Sequence, residues 1–149
     1  MKTLTGRAKD RKMAKADFEA LAEFRYQLRR FLRFSEQVTQ LNGITPLQYQ
    51  LMLQIKGFPH RDWACVSELA ERLQAKHHGV VALISRCESL GLVCRRPSPS
   101  DLRQVEVRLT PQGERRIEQL CGLHRDELQS LRSLFENVAK AQGETRSLM

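Results

Sequence analysis

The stretch "SELAERLQAKHHGVVALISRCESLGLV", residues 67–93, constrains the fold more than any other. Apolar residues recur at helical spacing on both sides of a short break, "QAK". In the first run Leu69, Ala70 and Leu73 share one side, and the small Ala70 permits another helix to cross closely. In the second, Val80, Leu83, Ile84, Cys87 and Leu90 form the stripe expected to be buried. Gly91 stands next, where a helix would end with a left-handed residue. Two helices joined by so short a turn form a helix-turn-helix, whose second helix is the one that enters the DNA major groove.

The residues after Gly91 extend the motif. "LVCRR" and "QVEVRLT" read as strands, the second placing Val105, Val107 and Leu109 on one side and Glu106 and Arg108 on the other. The prolines of "PSPSD" cannot donate ladder hydrogen bonds, so this segment is expected to be the exposed tip of a hairpin. A helix-turn-helix followed by a hairpin with an arginine-rich tip is a winged helix. The expected fold class is therefore mainly α with a small β-hairpin wing, with the core at about 45–110.

Long helices flank that core. From about 17 to 41, Phe18, Leu21, Phe24, Leu28, Phe31, Leu32, Val38 and Leu41 recur at steps of three and four, while Tyr26 and Phe34 lie off the stripe. A helix apolar on more than one side needs more than one partner, such as a second subunit. After Asn42-Gly43, Thr45 as N-cap and Pro46 at the first helical position open a helix expected to bury Leu47, Leu51, Met52 and Ile55. Gly57 and Pro59 end it. Thr110-Pro111 repeats the cap, and a last helix is expected over 111–140 with Ile117, Leu120, Cys121, His124, Leu128, Leu131, Leu134, Phe135 and Val138 on its apolar side. Residues 1–15 read as a disordered basic arm able to lie along a DNA backbone, and 141–149 as a frayed tail.

Composition bounds the function. The chain has 149 residues, enough for one core and one domain, here 16–140, and its formal charge of +8 suits a polyanionic partner. The longest apolar run, Val80–Ile84, is far too short for a membrane helix, and the N-terminal residues lack a secretory apolar stretch, so a cytoplasmic protein with reduced thiols is expected. Cys65, Cys87, Cys94 and Cys121 form no C-x-x-C pair, and no enzyme signature is present. No enzyme activity, cofactor or metal is expected.

Thr-Pro-capped helix, "VSELAERL", "VVALISRCESLGLVCRR", "PSPSDLR" and "VEVRLTPQGE", in this order, resemble the MarR family of dimeric winged helix-turn-helix transcriptional regulators. The resemblance spans roughly residues 20–135. Its most specific part is "CESLGLV" followed by Arg95, Pro97, Asp101 and Arg103 and then by "RLTPQGE". It implies a homodimer joined through the first and last helices and bound as a repressor to inverted-repeat double-stranded DNA. It also implies release by a small, often aromatic, effector.

The expected DNA-contacting residues are Lys76, His77, His78, Gly79, Val81 and Ala82 on the second helix and Arg95, Arg96, Ser98 and Arg103 on the wing. Arg103 is the family-matched candidate for minor-groove insertion, with Asp101 pairing locally to fix the wing. Lys76 stands where such modules place a Ser or Thr cap. It cannot accept a hydrogen bond, which weakens the helix start by ~1 kcal/mol, and it is free to reach a phosphate. The helix offers few Arg, Asn or Gln side chains for bidentate base reading, so thymine methyls and groove shape are expected to matter. Neighbouring histidines point about 100° apart, a poor metal site. Cys87 and Cys121 read as small buried hydrophobes, and Trp63, Tyr26 and Tyr49 as packing residues or effector contacts. The competing readings are a winged-helix module for protein–protein contact and a cysteine-based redox-sensing regulator.

Overall fold

The computed structural model describes residues 12–147, and of Glu127, Ser130, Val138, Ala139 and 141–147 the backbone alone. Residues 1–11, most of the expected basic arm, lie outside the described residues, as do 148 and 149. The elements are α1 (Lys15–Leu41), α2 (Pro46–Lys56), β1 (Trp63–Ala64), α3 (Val66–Leu73), α4 (His77–Ser89), β2 (Val93–Pro97), β3 (Val105–Leu109) and α5 (Pro111–Ser147). The last helix runs on to Ser147, past the expected end at 140.

The chain divides into two compact units, one of residues up to Leu32 with those from Glu127 on, the other Arg33–Asp126. The second holds the winged helix. Its core gathers Leu51, Met52 and Ile55 of α2, Leu69 of α3, Val80, Ile84 and Cys87 of α4, Val93 and Val107 of the sheet, and Ile117 and Leu120 of α5. The first unit keeps several large apolar side chains exposed. Phe24 and Phe135 meet edge to face with ring centroids 5.1 Å apart, while Phe18, Leu21, Tyr26, Leu32 and Leu128 stay about half exposed.

Three helices end in the same way, and each end aims the next segment. At the close of α1, Gly43 N–H donates to Gln40 and Ile44 N–H to Thr39; after α4, Gly91 N–H donates to Glu88 and Leu92 N–H to Cys87. These paired bonds need a left-handed residue, supplied by Gly43 (φ 71°) and Gly91 (φ 72°), and the adjoining Ile44 and Leu92 are buried. At the helix-turn-helix turn the left-handed position falls on Gln74 (φ 50°), whose side-chain amide donates to Glu71 O at 2.7 Å. No glycine marks that turn in the sequence.

Both Thr-Pro starts form. Thr45 Oγ1 accepts from Gln48 N–H and the Gln48 side chain accepts from Thr45 N–H, a reciprocal capping box. Thr110 Oγ1 accepts from Gly113 N–H and donates to Gly91 O at 2.5 Å, tying the start of α5 to the corner after α4. Gly113 permits this approach, since a Cβ there would lie 2.0 Å from Leu92 O.

Several expectations need correction. Leu47 is 57% exposed because the Pro46 start of α2 turns it outward, and Gln48 and Tyr49 are buried instead. Leu90 is 51% exposed, since it caps α4 rather than belonging to its last turn. The sheet has three strands in the order β1-β3-β2, with Trp63 paired to Arg108 and Ala64 to Val107, and the two-residue β1 carries too little periodicity to be read from sequence. In β3, Glu106 is buried and Val105 exposed, because Arg108 reaches Glu106 at 2.8 Å and draws the carboxylate in. Pro97 is the last residue of β2, an outer strand that tolerates a missing N–H, so the tip begins one residue later than expected.

Candidate nucleic-acid interface

Helix α4 buries Val80, Leu83, Ile84 and Cys87, which rotates His77, His78, Gly79, Val81 and Ala82 to solvent. Lys76 is the N-cap, in extended backbone, and its side chain makes no capping hydrogen bond, as expected of a lysine. The first N–H groups of α4 thus receive no side-chain cap, and Lys76, His77 and His78 are all exposed at this helix start. Partial positive charge at a helix start, reinforced by a cation, favours a phosphate.

Helix α3 is braced from beneath. Glu68 accepts from Cys65 N–H at 2.8 Å and pairs with Arg61, whose guanidinium lies between the rings of Phe58 (4.2 Å) and Trp63 (3.8 Å). Burial by itself would raise the Glu68 carboxyl pKa. The hydrogen bonds from Arg61 and Cys65 outweigh it and hold the carboxyl below its ordinary value.

The wing is a closed unit of short bonds. Ser98 N–H donates to Gln104 O at 3.0 Å and Gln104 N–H to Asp101 O at 3.0 Å, so the tip folds back on itself. Asp101 Oδ1 accepts from Arg103 N–H at 3.0 Å and faces Arg103 Nε at 3.4 Å, the local pairing expected of that carboxylate. The Arg103 side chain is nevertheless 93% exposed, and Arg96 and Leu102 are exposed with it. Ser98 is different. It is 1% exposed, with its hydroxyl 3.2 Å from Ser100 Oγ and accepting from Asp101 N–H, so it shapes the tip and offers no surface to a partner.

Arg95 is also not a free cation. Its Nη1 donates to Glu88 Oε1 at 2.9 Å and its Nη2 to Ser85 Oγ at 2.9 Å, so the guanidinium is folded onto α4. The sequence offered one signal for this: Glu88 and Arg95 lie on either side of the reversal at Gly91.

Elsewhere in this unit His124 is buried, its Nδ1 2.6 Å from Leu120 O and its Nε2 2.9 Å from Ser35 Oγ, with the ring stacked on Tyr49 at 4.8 Å. Since the carbonyl can only accept, Nδ1 carries a proton and donates to it. Desolvation raises the Tyr49 hydroxyl pKa, and proximity to Cys121 adds to it. Tyr49 is buried with this ring. Cys87 is fully buried, which pushes its thiol up to about 11. The four cysteines are unpaired, and among the described residues no three of His, Cys, Asp and Glu gather where a metal ion could sit.

Comparison with known proteins agrees with this geometry. The model of the MarR family matches residues 42–104. A Thauera aromatica protein named as a transcriptional regulator for the hcr operon is 31% identical over 98 residues, 64% of this chain and 57% of that protein. The HTH-type transcriptional repressor MdtR of Bacillus subtilis is 31% identical over 80 residues, 54% of this chain and 50% of that protein. The chain therefore spans about half the length of these relatives.

Among solved structures, AbsC, a MarR family transcriptional regulator from Streptomyces coelicolor, superposes with a TM-score of 0.70 at 20% identity, covering 93% of this chain and 97% of that one. A mutant MarR from E. coli complexed with operator DNA gives 0.65 at 21% identity, covering 93% and 99%. The chain is thus similar in sequence to the MarR family over residues 42–104, and it shares the fold of these regulators over most of its length.

Proposed function

We propose that this chain is a cytoplasmic, homodimeric, sequence-specific DNA-binding regulator of transcription, acting as a repressor and performing no chemistry of its own. One observation carries the reading: a recognition helix with its whole outward side, Lys76, His77, His78, Gly79, Val81 and Ala82, left to solvent, adjoining a hairpin whose tip holds out Arg103 and Arg96. A net charge of +8 suits a polyanion, and the named relatives are regulators of transcription.

In this reading α4 enters the major groove, where Val81 and Ala82 meet thymine methyls and the histidines donate to bases or phosphates. Arg103 enters the adjacent minor groove, drawn by the negative potential of a narrow A·T-rich segment, and Asp101 holds its backbone in place. Lys76 and Arg96 face phosphates. The half-exposed Phe18, Leu21, Leu32 and Leu128 supply the apolar surface that a second copy covers. Release by a small aromatic effector is implied by the family resemblance, with no residue of this chain assigned to it.

The test is a titration of the protein against DNA from upstream of its own gene and against scrambled DNA, across a range of salt. The proposal expects a specific-to-random affinity ratio of at least ~10³, with both affinities falling steeply as salt rises. Replacing Arg103 by Ala should cost about 1–3 kcal/mol of operator affinity without dissociating the dimer. Equal, weak binding to both duplexes would shift the reading to a protein–protein interaction module.

A further inference from the structure

We propose that Arg95 is a positioning residue: with Glu88 and Ser85 it forms a clamp that sets the wing against the recognition helix, and its charge is not spent on DNA. This rests on the DNA-binding reading and reassigns a residue that sequence alone places on the interface.

The contacts are mutually dependent. Glu88 receives Arg95 twice, with Oε1 2.9 Å from Nη1 and Oε2 3.2 Å from the Arg95 backbone N–H. The other guanidinium nitrogen, Nη2, donates to Ser85 Oγ at 2.9 Å and to Val81 O at 3.3 Å, while Ser85 Oγ itself donates to Val81 O at 3.1 Å. At about 100° per residue, positions 81, 85 and 88 fall within about 60° of one another on α4. That edge lies between the buried stripe and the outward side. One side chain from β2 therefore grips two turns of the helix expected in the major groove, at the foot of the hairpin expected in the minor groove.

The clamp has two physical consequences. A guanidinium that already serves a carboxylate, a hydroxyl and a carbonyl has committed three of its five N–H donors, both of those on Nη2 among them, and is held away from a phosphate by them. And Glu88, half exposed on the flank of a helix that meets a polyanion, ought to oppose binding through its charge. In the clamp it promotes binding instead, by holding two reading elements at one fixed angle so that DNA need not order them.

The sign of the Glu88→Gln effect separates these roles. Operator and random-sequence affinities are measured across salt for the full chain as wild type, Arg95→Gln, Glu88→Gln, the double variant and Ser85→Ala, with thermal unfolding of each. The clamp predicts that Arg95→Gln and Glu88→Gln each weaken operator binding by roughly tenfold, and that the double variant is no weaker than either, as for residues acting as a unit. Ser85→Ala, which removes no charge, should weaken binding in the same direction. Salt dependence stays at the wild-type slope, random-sequence affinity changes little, and unfolding temperatures stay close to wild type, so a general loss of folding does not explain the effect.

Tighter operator binding by Glu88→Gln would overturn the inference. So would a salt slope lowered by about one in Arg95→Gln alone, the mark of a lost phosphate contact. A wild type that fails to discriminate operator from random DNA refutes the regulator reading and this inference with it; discrimination by wild type with a tighter Glu88→Gln refutes only the inference.

Discussion

Two glycines of α5 should respond oppositely to one substitution. Gly113 lies against the corner after α4, where a Cβ would sit 2.0 Å from Leu92 O and 3.0 Å from Leu92 C. Real Cβ atoms do not come within 3.0 Å of such neighbours, so Gly113→Ala must part the two backbones by about an ångström. At stake are the Thr110 N–H bond to Leu92 O at 3.1 Å and the Thr110 Oγ1 bond to Gly91 O at 2.5 Å. Overpacking costs about 1–3 kcal/mol and each strained hydrogen bond about 1 kcal/mol, against a gain of about 1 kcal/mol in helix propensity. The net expectation is a loss of about 3 kcal/mol, a large part of the roughly 5–15 kcal/mol by which such a domain is stable. Gly122, in the same helix with no heavy atom within 4 Å of its Cβ position, has only the propensity term, and Gly122→Ala should gain about 0.8–1 kcal/mol. Urea unfolding at one protein concentration, with unchanged m-values, reads both. A neutral Gly113→Ala, or two shifts of the same sign, would refute the claim that close backbone approach fixes α5 to the winged core.

Three further outcomes are expected. Lys76→Ser supplies the missing N-cap of α4 and should stabilise the fold by about 1 kcal/mol; if Lys76 meets a phosphate, the same variant lowers the salt dependence of DNA binding by about one ion, so stability and affinity move apart. Because the folded Glu68 carboxyl is held below its ordinary value of 4.5, the stability it contributes is present at neutral pH and is lost as pH falls below 4.5 toward the lowered value. An acid unfolding series should therefore fall more steeply for wild type than for Glu68→Gln, and parallel curves would discount the pairing with Arg61. Cys87, buried and with its thiol raised to about 11, should resist an alkylating reagent at pH 8 until the protein unfolds, while the partly exposed Cys65 and Cys94 react first. Modification of Cys87 at the rate of the other two would show that α4 opens readily.

The order of elements and most of the helix ends were legible from local sequence. Apolar spacing in α3, α4 and the start of α5, the Thr-Pro starts and the left-handed Gly43 and Gly91 are local properties, set by backbone sterics and by which side chains avoid water. For the same reason the outward side of α4 and the exposed tip arginine were legible, since the face opposite a buried stripe needs no long-range knowledge. Pairings between distant residues come from packing instead: Trp63 with Arg108 in a third strand, Glu106 drawn inward by Arg108, Ser35 meeting His124, and Arg95 laid on Glu88 and Ser85. A polar side chain can face a ligand or a neighbour with equal local propensity. Which it faces is fixed by the partner that packing brings within about 3 Å, and that is why Arg103 stands out to solvent while Arg95, eight residues earlier, is folded onto the helix.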